Sequence, residues 1–381
     1  MTGIVVLGST GSIGTQALEV AAAHPDRIRV LGLASGHDSP AVGEQLAAWP
    51  DARWWCADEG ARWRNPDRWA DGGLEDLATH HGVDLVVVAT TGMAALPAVL
   101  AALRSGRRVA LANKEALITG GHLVMRTVDN AGGNPLERLR PIDSEHSAIW
   151  QCLVGERIED VERLVLTASG GPFRGRSPET LDGVTPTEAL AHPTWRMGPK
   201  ITVDSATLVN KAFEVIEAKW LYRLAYPKID AVIHPQSVVH SLVEFVDGSF
   251  KAQLGLPDMR LPIQYALTYP ERLPSPARRS HPSNWKSLDF APLDAAAYPA
   301  YRVVRAAAEA GGNRGVVLNA ADEIAVESFL DGRIAFSAIA TTIEDAVARW
   351  GADDEPDLEA IAGLDHEVRA QVRADIGPAR A

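Results

Sequence analysis

The pattern of apolar and polar positions changes twice along the chain. Four short runs, at residues 4–7, 29–34, 85–89 and 108–112, are mostly apolar without alternation, and 4–7 and 85–89 are rich in β-branched side chains. Such runs predict strands buried on both faces, and hence a parallel sheet covered by helices. Helical periodicity at 15–23, 40–49 and 94–104 falls between some of them. The tryptophan-rich stretch 49–69 follows no period, and the pattern assigns it no element.

Beyond residue 141 the alternation of strand and helix stops. Residues 161–168 predict a strand, and 170–200, rich in Gly, Pro and Thr, a long loop. Long loops in compact domains often serve as lids. A helix is expected over 207–222. Runs at 237–246 and 249–254 flank Asp247-Gly248, a hairpin signal. Residues 270–299 are proline-rich with little periodicity, and helical patterns return at 302–310, 316–330 and 335–350. The expected fold class is α/β: an N-terminal Rossmann-like parallel sheet over 1–141, an α+β catalytic domain over 142–269, a linker at 270–299 and a small C-terminal helical domain over 300–381.

Composition narrows the functional classes. A chain of 381 residues, 46% hydrophobic and 23% charged, can bury a large core and is not a disordered or fibrous sequence. Residues 85–103 are uncharged and nearly long enough to span a bilayer, but Thr90-Thr91-Gly92 and Pro97 interrupt them. Strand, turn and buried helix is the better reading. The net charge is −12 and no basic run exceeds two residues, which argues against nucleic-acid or membrane partners. Two cysteines, Cys56 and Cys152, cannot build a disulfide framework, and Cys152 sits in an apolar run that suits a core. The N-terminus lacks the features of a signal peptide, so a cytoplasmic location is expected.

Candidate chemistry clusters in five places. Gly8-Ser9-Thr10-Gly11-Ser12-Ile13-Gly14 follows a strand and opens a helix, the context in which glycines admit a dinucleotide pyrophosphate. Ser35-Gly36-His37-Asp38 ends the second strand: an acid there favours NAD, whereas His37 could face a 2′-phosphate, and spacing alone does not choose. Asp143 and Glu145, at i and i+2 of an extended segment, could present two hard oxygens to Mg²⁺ or Mn²⁺, although an isolated Asp-x-Glu is more often a solvated turn. Asp204-Ser205-Ala206-Thr207 introduces a helix with Ser205 as its expected N-cap. Asn210, Lys211 and Glu214 share one face of that helix, suited to a phosphate and a metal or simply to a surface ion pair. Ser169-Gly170-Gly171 is an anion-friendly turn, and His192-Pro193-Thr194-Trp195-Arg196-Met197-Gly198 lies in the long loop. His234 and His240 read as structural.

Together these segments resemble one family closely, the 1-deoxy-D-xylulose 5-phosphate reductoisomerases. The matching stretches are GSTGSIG at 8–14, LANKEAL at 111–117, DSEHSA at 143–148, ASGGPF at 168–173, HPTWRMG at 192–198 and KITVDSATLVNKAFEVIEAKWL at 200–221. HPQSVVHS at 234–241, PDMRLPIQYAL at 257–267 and LNAADEIAVESFL at 318–330 complete them in the family's order. The resemblance implies an NADPH-dependent enzyme that needs Mg²⁺ or Mn²⁺, with Co²⁺ as a substitute. It would rearrange 1-deoxy-D-xylulose 5-phosphate and reduce the product to 2-C-methyl-D-erythritol 4-phosphate, on the route to isoprenoid precursors.

By the same resemblance Asp143, Glu145 and Glu214 are metal ligands, and with Lys114 they form the catalytic set. Substrate binding falls to Lys114, Ser144, Glu145, Glu214 and the phosphate cradle Ser169, His192, Ser205, Asn210 and Lys211. Trp195 and Met197 belong to a lid at about 186–200. Cofactor contacts fall on Gly8, Thr10, Gly11, Ser12, Ile13, Gly36, His37, Asp38, Asn113, Glu115 and Gly198. The family also implies a homodimer, with the hairpin near its interface. His37-Asp38 departs from the Asn usual in the family, and Ala212 replaces a Gly. Competing readings are a Rossmann oxidoreductase of the semialdehyde or homoserine dehydrogenase kind, and a non-catalytic NADP(H) sensor.

Overall fold

The computed structural model describes residues 1–377, which fall into two compact units. The first contains residues 1–116, 123–150 and 258–279; the second contains 117–122, 151–257 and the chain from Ser280 onward.

In the first unit six parallel strands form one sheet. They are β1 (Thr2–Leu7), β2 (Ile28–Ser35), β3 (Arg53–Cys56), β4 (Leu85–Val88), β5 (Arg108–Leu111) and β6 (Leu139–Pro141), in the order β3-β2-β1-β4-β5-β6. The unalternating runs are buried on both faces: Ile4, Val5, Val6 and Leu7 are all closed to solvent, as are Leu85 to Val88. Each such side chain contributes about 1.5–3 kcal/mol by leaving water. The strand order reverses between β1 and β4, and in such sheets ligands bind outside the carboxyl ends near that point.

The tryptophan-rich stretch closes the sheet's outer edge through β3. Its order comes from side chains bonding to backbone. Arg68 donates to the carbonyls of Leu46, Trp49 and Ala52 at 3.1, 2.6 and 2.7 Å, and the Trp54 indole donates to Asn65 O at 2.9 Å.

One expectation is corrected in this unit. Asp143 and Glu145 do not lie in an extended segment. The strand stops at Pro141, and Ser144–Leu153 is a helix whose first turn is closed by Ser147 N–H on Asp143 O at 2.8 Å. Asp143 therefore stands just before a helix, with Glu145 in its first turn.

The second unit holds a mixed sheet of β7 (Val161–Ala168), β8 (Ile229–Ile233), β9 (Val239–Phe245), β10 (Phe250–Leu254) and β11 (Ala291–Pro292), ordered β10-β9-β7-β8-β11. β9 and β10 form the expected hairpin around Asp247-Gly248, with Gly248 at φ 83°. β11 comes from the proline-rich stretch 270–299, which is thus partly ordered as an edge strand. His234 is structural, as read: Nδ1 donates to Asp289 O at 2.9 Å, while Nε2 accepts from the backbone of Val238 and Val239. The helices Pro299–Ala310, Arg314–Leu330, Ala338–Trp350 and Leu358–Ile376 pack in the same unit.

Here too an expectation fails. Ser205 is not an N-cap. It lies in the last turn of the helix Pro199–Thr207, and a second helix, Val209–Tyr222, starts two residues later. Leu208 between them is held at φ 59°, a left-handed conformation that is strained for leucine and is retained by burying the side chain. The loop 170–200 also contains a short helix, Pro186–Ala189, fixed by a capping box from Thr185 and Glu188.

Candidate active site

In the first unit the glycine turn divides its labour. Gly8 sits at φ +88°, and a Cβ there would lie 2.5 Å from Ala89 O. A Cβ on Gly14 would lie 2.1 Å from Gly8 O, so only glycine lets the helix Ser12–Ala23 approach the strand. Gly11 has more room, its nearest atom at 3.4 Å, and it precedes a helix with no side-chain cap. Uncapped helical N–H groups at the carboxyl end of β1 suit a pyrophosphate. Thr10 is half-buried, while Gly11 and Ser12 are exposed at the rim.

The Asn113 side chain ties loops together. Nδ2 donates to Thr90 O and Gly92 O at 2.9 and 2.8 Å, and Oδ1 accepts from Ala116 N–H at 2.9 Å. Both amide hydrogens are consumed in tying two βα loops together. Next to it, Lys114 Nζ lies 2.9 Å from Asp143 Oδ2, with both side chains largely buried. The pair joins the segments that leave β5 and β6 at their carboxyl ends. Ser144 donates to the Glu145 carboxylate beside it.

At the carboxyl end of β2, Gly36 is open, with no atom within 4 Å of a hypothetical Cβ. Asp38 N–H donates to Asp58 Oδ2 at 2.8 Å, and His37 Nδ1 lies 3.4 Å from Asp58 Oδ1. The Asp38 backbone bond first, and the His37 bond second, hold the Asp58 carboxyl below its ordinary range. Arg64, which the sequence reading passed over, reaches Asp38: its Nε and Nη2 lie 2.8 and 2.7 Å from Oδ1.

In the second unit His192 is the hub. Its Nε2 lies 3.1 Å from both Ser169 Oγ and Ser205 Oγ. Its Nδ1 accepts the backbone N–H groups of Thr194 and Trp195 at 3.1 and 2.9 Å. Two donors on Nδ1 place the ring proton on Nε2. Burial lowers the imidazole pKa, so the ring is neutral near pH 7. Gly171, at φ +67°, lets the Ser169 turn lie against the helix carrying Ser205: a Cβ there would be 2.7 Å from Ser205 O.

On the next helix Asn210 donates to Glu214 Oε1 at 2.6 Å, and Lys211 is paired with the same carboxylate, which is 1% exposed. The expected shared face of Asn210, Lys211 and Glu214 is therefore present as direct contacts. Trp195 and Met197 are half-buried and Gly198 is exposed.

Three family models match the chain: 1-deoxy-D-xylulose 5-phosphate reductoisomerase over residues 4–121, its C-terminal domain over 139–222, and a DXP reductoisomerase C-terminal domain over 254–371. The chain belongs to the 1-deoxy-D-xylulose 5-phosphate reductoisomerase family. A reductoisomerase of Pelotomaculum thermopropionicum is 47% identical over 379 residues, with 97% of each chain covered. One from Thermomicrobium roseum is 47% identical over 382 residues, covering 99% of this chain and 98% of the relative. Among solved structures, the Zymomonas mobilis reductoisomerase in complex with NADPH superposes with a TM-score of 0.90 at 37% identity, covering 98% of this chain and 99% of that one. A reductoisomerase in complex with NADPH, fosmidomycin and magnesium gives 0.90 at 36% identity, covering 99% and 98%.

The chain is thus an enzyme of the reductoisomerase type, and the dehydrogenase alternative is not favoured. That alternative in its semialdehyde form needs an activated cysteine, and burial instead pushes the Cys152 thiol up to about 11. No helix among the described residues is long and apolar enough to cross a membrane.

Proposed function

We propose that Asp143, Glu145 and Glu214 hold a divalent cation, in an enzyme that converts 1-deoxy-D-xylulose 5-phosphate to 2-C-methyl-D-erythritol 4-phosphate at the expense of NADPH. The chemistry of the donor set supports the assignment: all three are carboxylates at least half-buried, and Asp143 and Glu214 each stand where a cationic group, Lys114 or Lys211, is already held against them. Carboxylates sheltered from water need a cation beside them. Three hard oxygen donors fit Mg²⁺ or Mn²⁺, with Co²⁺ tolerated. When bound, the ion supplies Lewis-acid stabilisation of negative charge on the substrate's oxygens. NADPH supplies the hydride.

The chain's own residues bind, orient and exclude water. Lys114 and Ser144 donate to the sugar oxygens, and the Lys114–Asp143 pair fixes where that ammonium sits. Ser169, Ser205, Asn210 and Lys211 cradle the phosphate. His192 joins them as a neutral donor through Nε2–H, its tautomer locked by the backbone of Thr194 and Trp195. In a chain of net charge −12, such directed donors draw in an anion that the overall field repels. Trp195 and Met197 cover the bound phosphate end and keep water from the hydride acceptor. On the cofactor side Gly8, Gly11, Ser12 and Ile13 approach the pyrophosphate, Thr10 and Gly36 flank the nucleotide, and Glu115 and Gly198 border it. Asn113 borders the nucleotide too, its side chain fixing the loops around it.

The enzyme works as a cytoplasmic homodimer in this reading. Both cysteines are buried thiols, and the edge strand β10 exposes Phe250 and Leu254 beside Val246, an apolar strip suited to a second copy.

The test is the loss of NADPH absorbance with purified protein, substrate and Mn²⁺. Substrate-dependent oxidation abolished by excess EDTA is the expected result. A folded, metal-loaded sample that oxidises no NADPH would refute the assignment.

A further inference from the structure

The carboxyl end of β2 holds a contradiction. In dinucleotide-binding sheets an acid at this point favours NAD, by bonding the ribose 2′-hydroxyl and repelling a 2′-phosphate, while a nearby arginine accommodates the phosphate. The cofactor assigned above is NADPH, yet the loop carries Asp38 and no basic residue of its own except His37.

Arg64 resolves the contradiction from another segment. Its Nε donates to Oδ1 of Asp38 at 2.8 Å, and Nη2 lies 2.7 Å from the same oxygen as an ion pair. A guanidinium carries five N–H groups in a rigid fork, so turning its Nε/Nη2 edge to one carboxylate oxygen leaves Nη1 and the outer Nη2 hydrogen for another acceptor. The Asp38 charge is cancelled, and its oxygen becomes a tether that aims the fork at the loop. The loop is itself pinned, because Asp58 takes the Asp38 N–H and lies beside the His37 ring. Arg62 is engaged elsewhere, with Asp71 at 3.0 Å. Two further features favour an anion here. The helix Pro40–Ala48 starts at this loop with no side-chain cap, and Gly36 leaves open space before it.

We propose that Arg64, tethered by Asp38, binds the 2′-phosphate and is the residue that selects NADPH over NADH in this chain. Asp38, which the sequence presents as a repelling group, is a positioning residue for that arginine. This inference rests on the cofactor assignment made above.

The experiment measures binding without metal or substrate. Titrate wild type, Arg64→Met and Arg64→Lys with NADPH and NADH by nucleotide fluorescence, and with 2′,5′-ADP and 5′-ADP by calorimetry. Losing a charge-assisted pair of bonds predicts about a tenfold or greater rise in Kd for NADPH and 2′,5′-ADP in Arg64→Met. NADH and 5′-ADP should shift by less than about twofold, which also reports an intact fold. Arg64→Lys should recover part of the loss. Equal weakening of both cofactors, or no weakening of either, would overturn the proposal while leaving the NADPH assignment standing. Wild-type protein that binds neither nucleotide would overturn both.

Discussion

Lys200 offers the sharpest test of how the second unit holds the proposed phosphate cradle. Its Nζ lies 2.6 Å from Asp204 Oδ2 and 2.6 Å from Asp322 Oδ2, where the two carboxylate side chains are 4% and 0% exposed. It also lies 5.2 Å from the Phe213 ring centroid. Asp322, on the helix Arg314–Leu330, is thereby clamped to the helix Pro199–Thr207, which carries Ser205. Burial, outweighing the pull of Lys200, raises the Asp322 pKa. Two buried carboxyls thus face one ammonium, and this crowding favours keeping a proton on Asp322.

The consequences are asymmetric. Lys200→Met strands a buried carboxylate charge, a loss of about 3–5 kcal/mol. Asp322→Asn removes one of two buried carboxyls that face a single ammonium and leaves a neutral amide in its place, and should cost less than about 1.5 kcal/mol, the scale of one net hydrogen bond. Melting temperatures at pH 7 should therefore fall sharply for Lys200→Met and little for Asp322→Asn. The KM for substrate should follow the same order, because Ser205 loses its anchorage. The sign of the pH effect is fixed too. Above 3.8, the ordinary carboxyl value, the unfolded chain has released a proton that folded Asp322 keeps. Wild-type stability therefore declines as pH rises through that window, and Asp322→Asn should lack this component of the slope. An Asp322→Asn protein as unstable as Lys200→Met would refute this reasoning, as would a Lys200→Met protein that melts like wild type.

Two further outcomes can be checked directly. Gly14→Ala should weaken binding of both NADPH and NADH together and lower the melting temperature, since the added methyl would meet Gly8 O at 2.1 Å and force the helix off the strand; calorimetry and thermal denaturation read both. His192, whose pKa burial lowers from 6.5, takes up its proton more readily in the unfolded chain, so stability should drop on acidification below that value, and His192→Gln should remove this part of the drop when melting is followed from about pH 7.5 to about pH 5.

Four of the six strands of the first sheet were legible in the sequence because burial on both faces leaves short apolar runs without alternation. The nucleotide turn was legible for a related reason, since Gly8 and Gly14 are dictated by backbone geometry that only glycine satisfies. The face shared by Asn210, Lys211 and Glu214 followed from helical spacing alone. The misreadings share a cause of another kind. The strand before Asp143 and Glu145 predicts an extended segment, yet a helix begins at Ser144, and the Asp-Ser-Glu before an apolar run is equally a helix-start signal. Ser205 was taken as a cap because no glycine or proline marks the break at Leu208, where tertiary burial imposes a left-handed turn on a residue that would not choose it.

The deeper omission is the stretch 49–69. Its order comes from Arg68 and Trp54 bonding to backbone carbonyls, which no periodicity records. That same stretch supplies Arg64, so the unread segment contains the group that decides how the β2 loop is charged. Read locally, Asp38 argues for NADH; paired with a residue 26 positions away, it argues for NADPH. A cofactor preference inferred from a strand-end residue is therefore only as good as knowledge of what that residue is bonded to. Removing the partner, rather than the acid, is the substitution that separates the two readings.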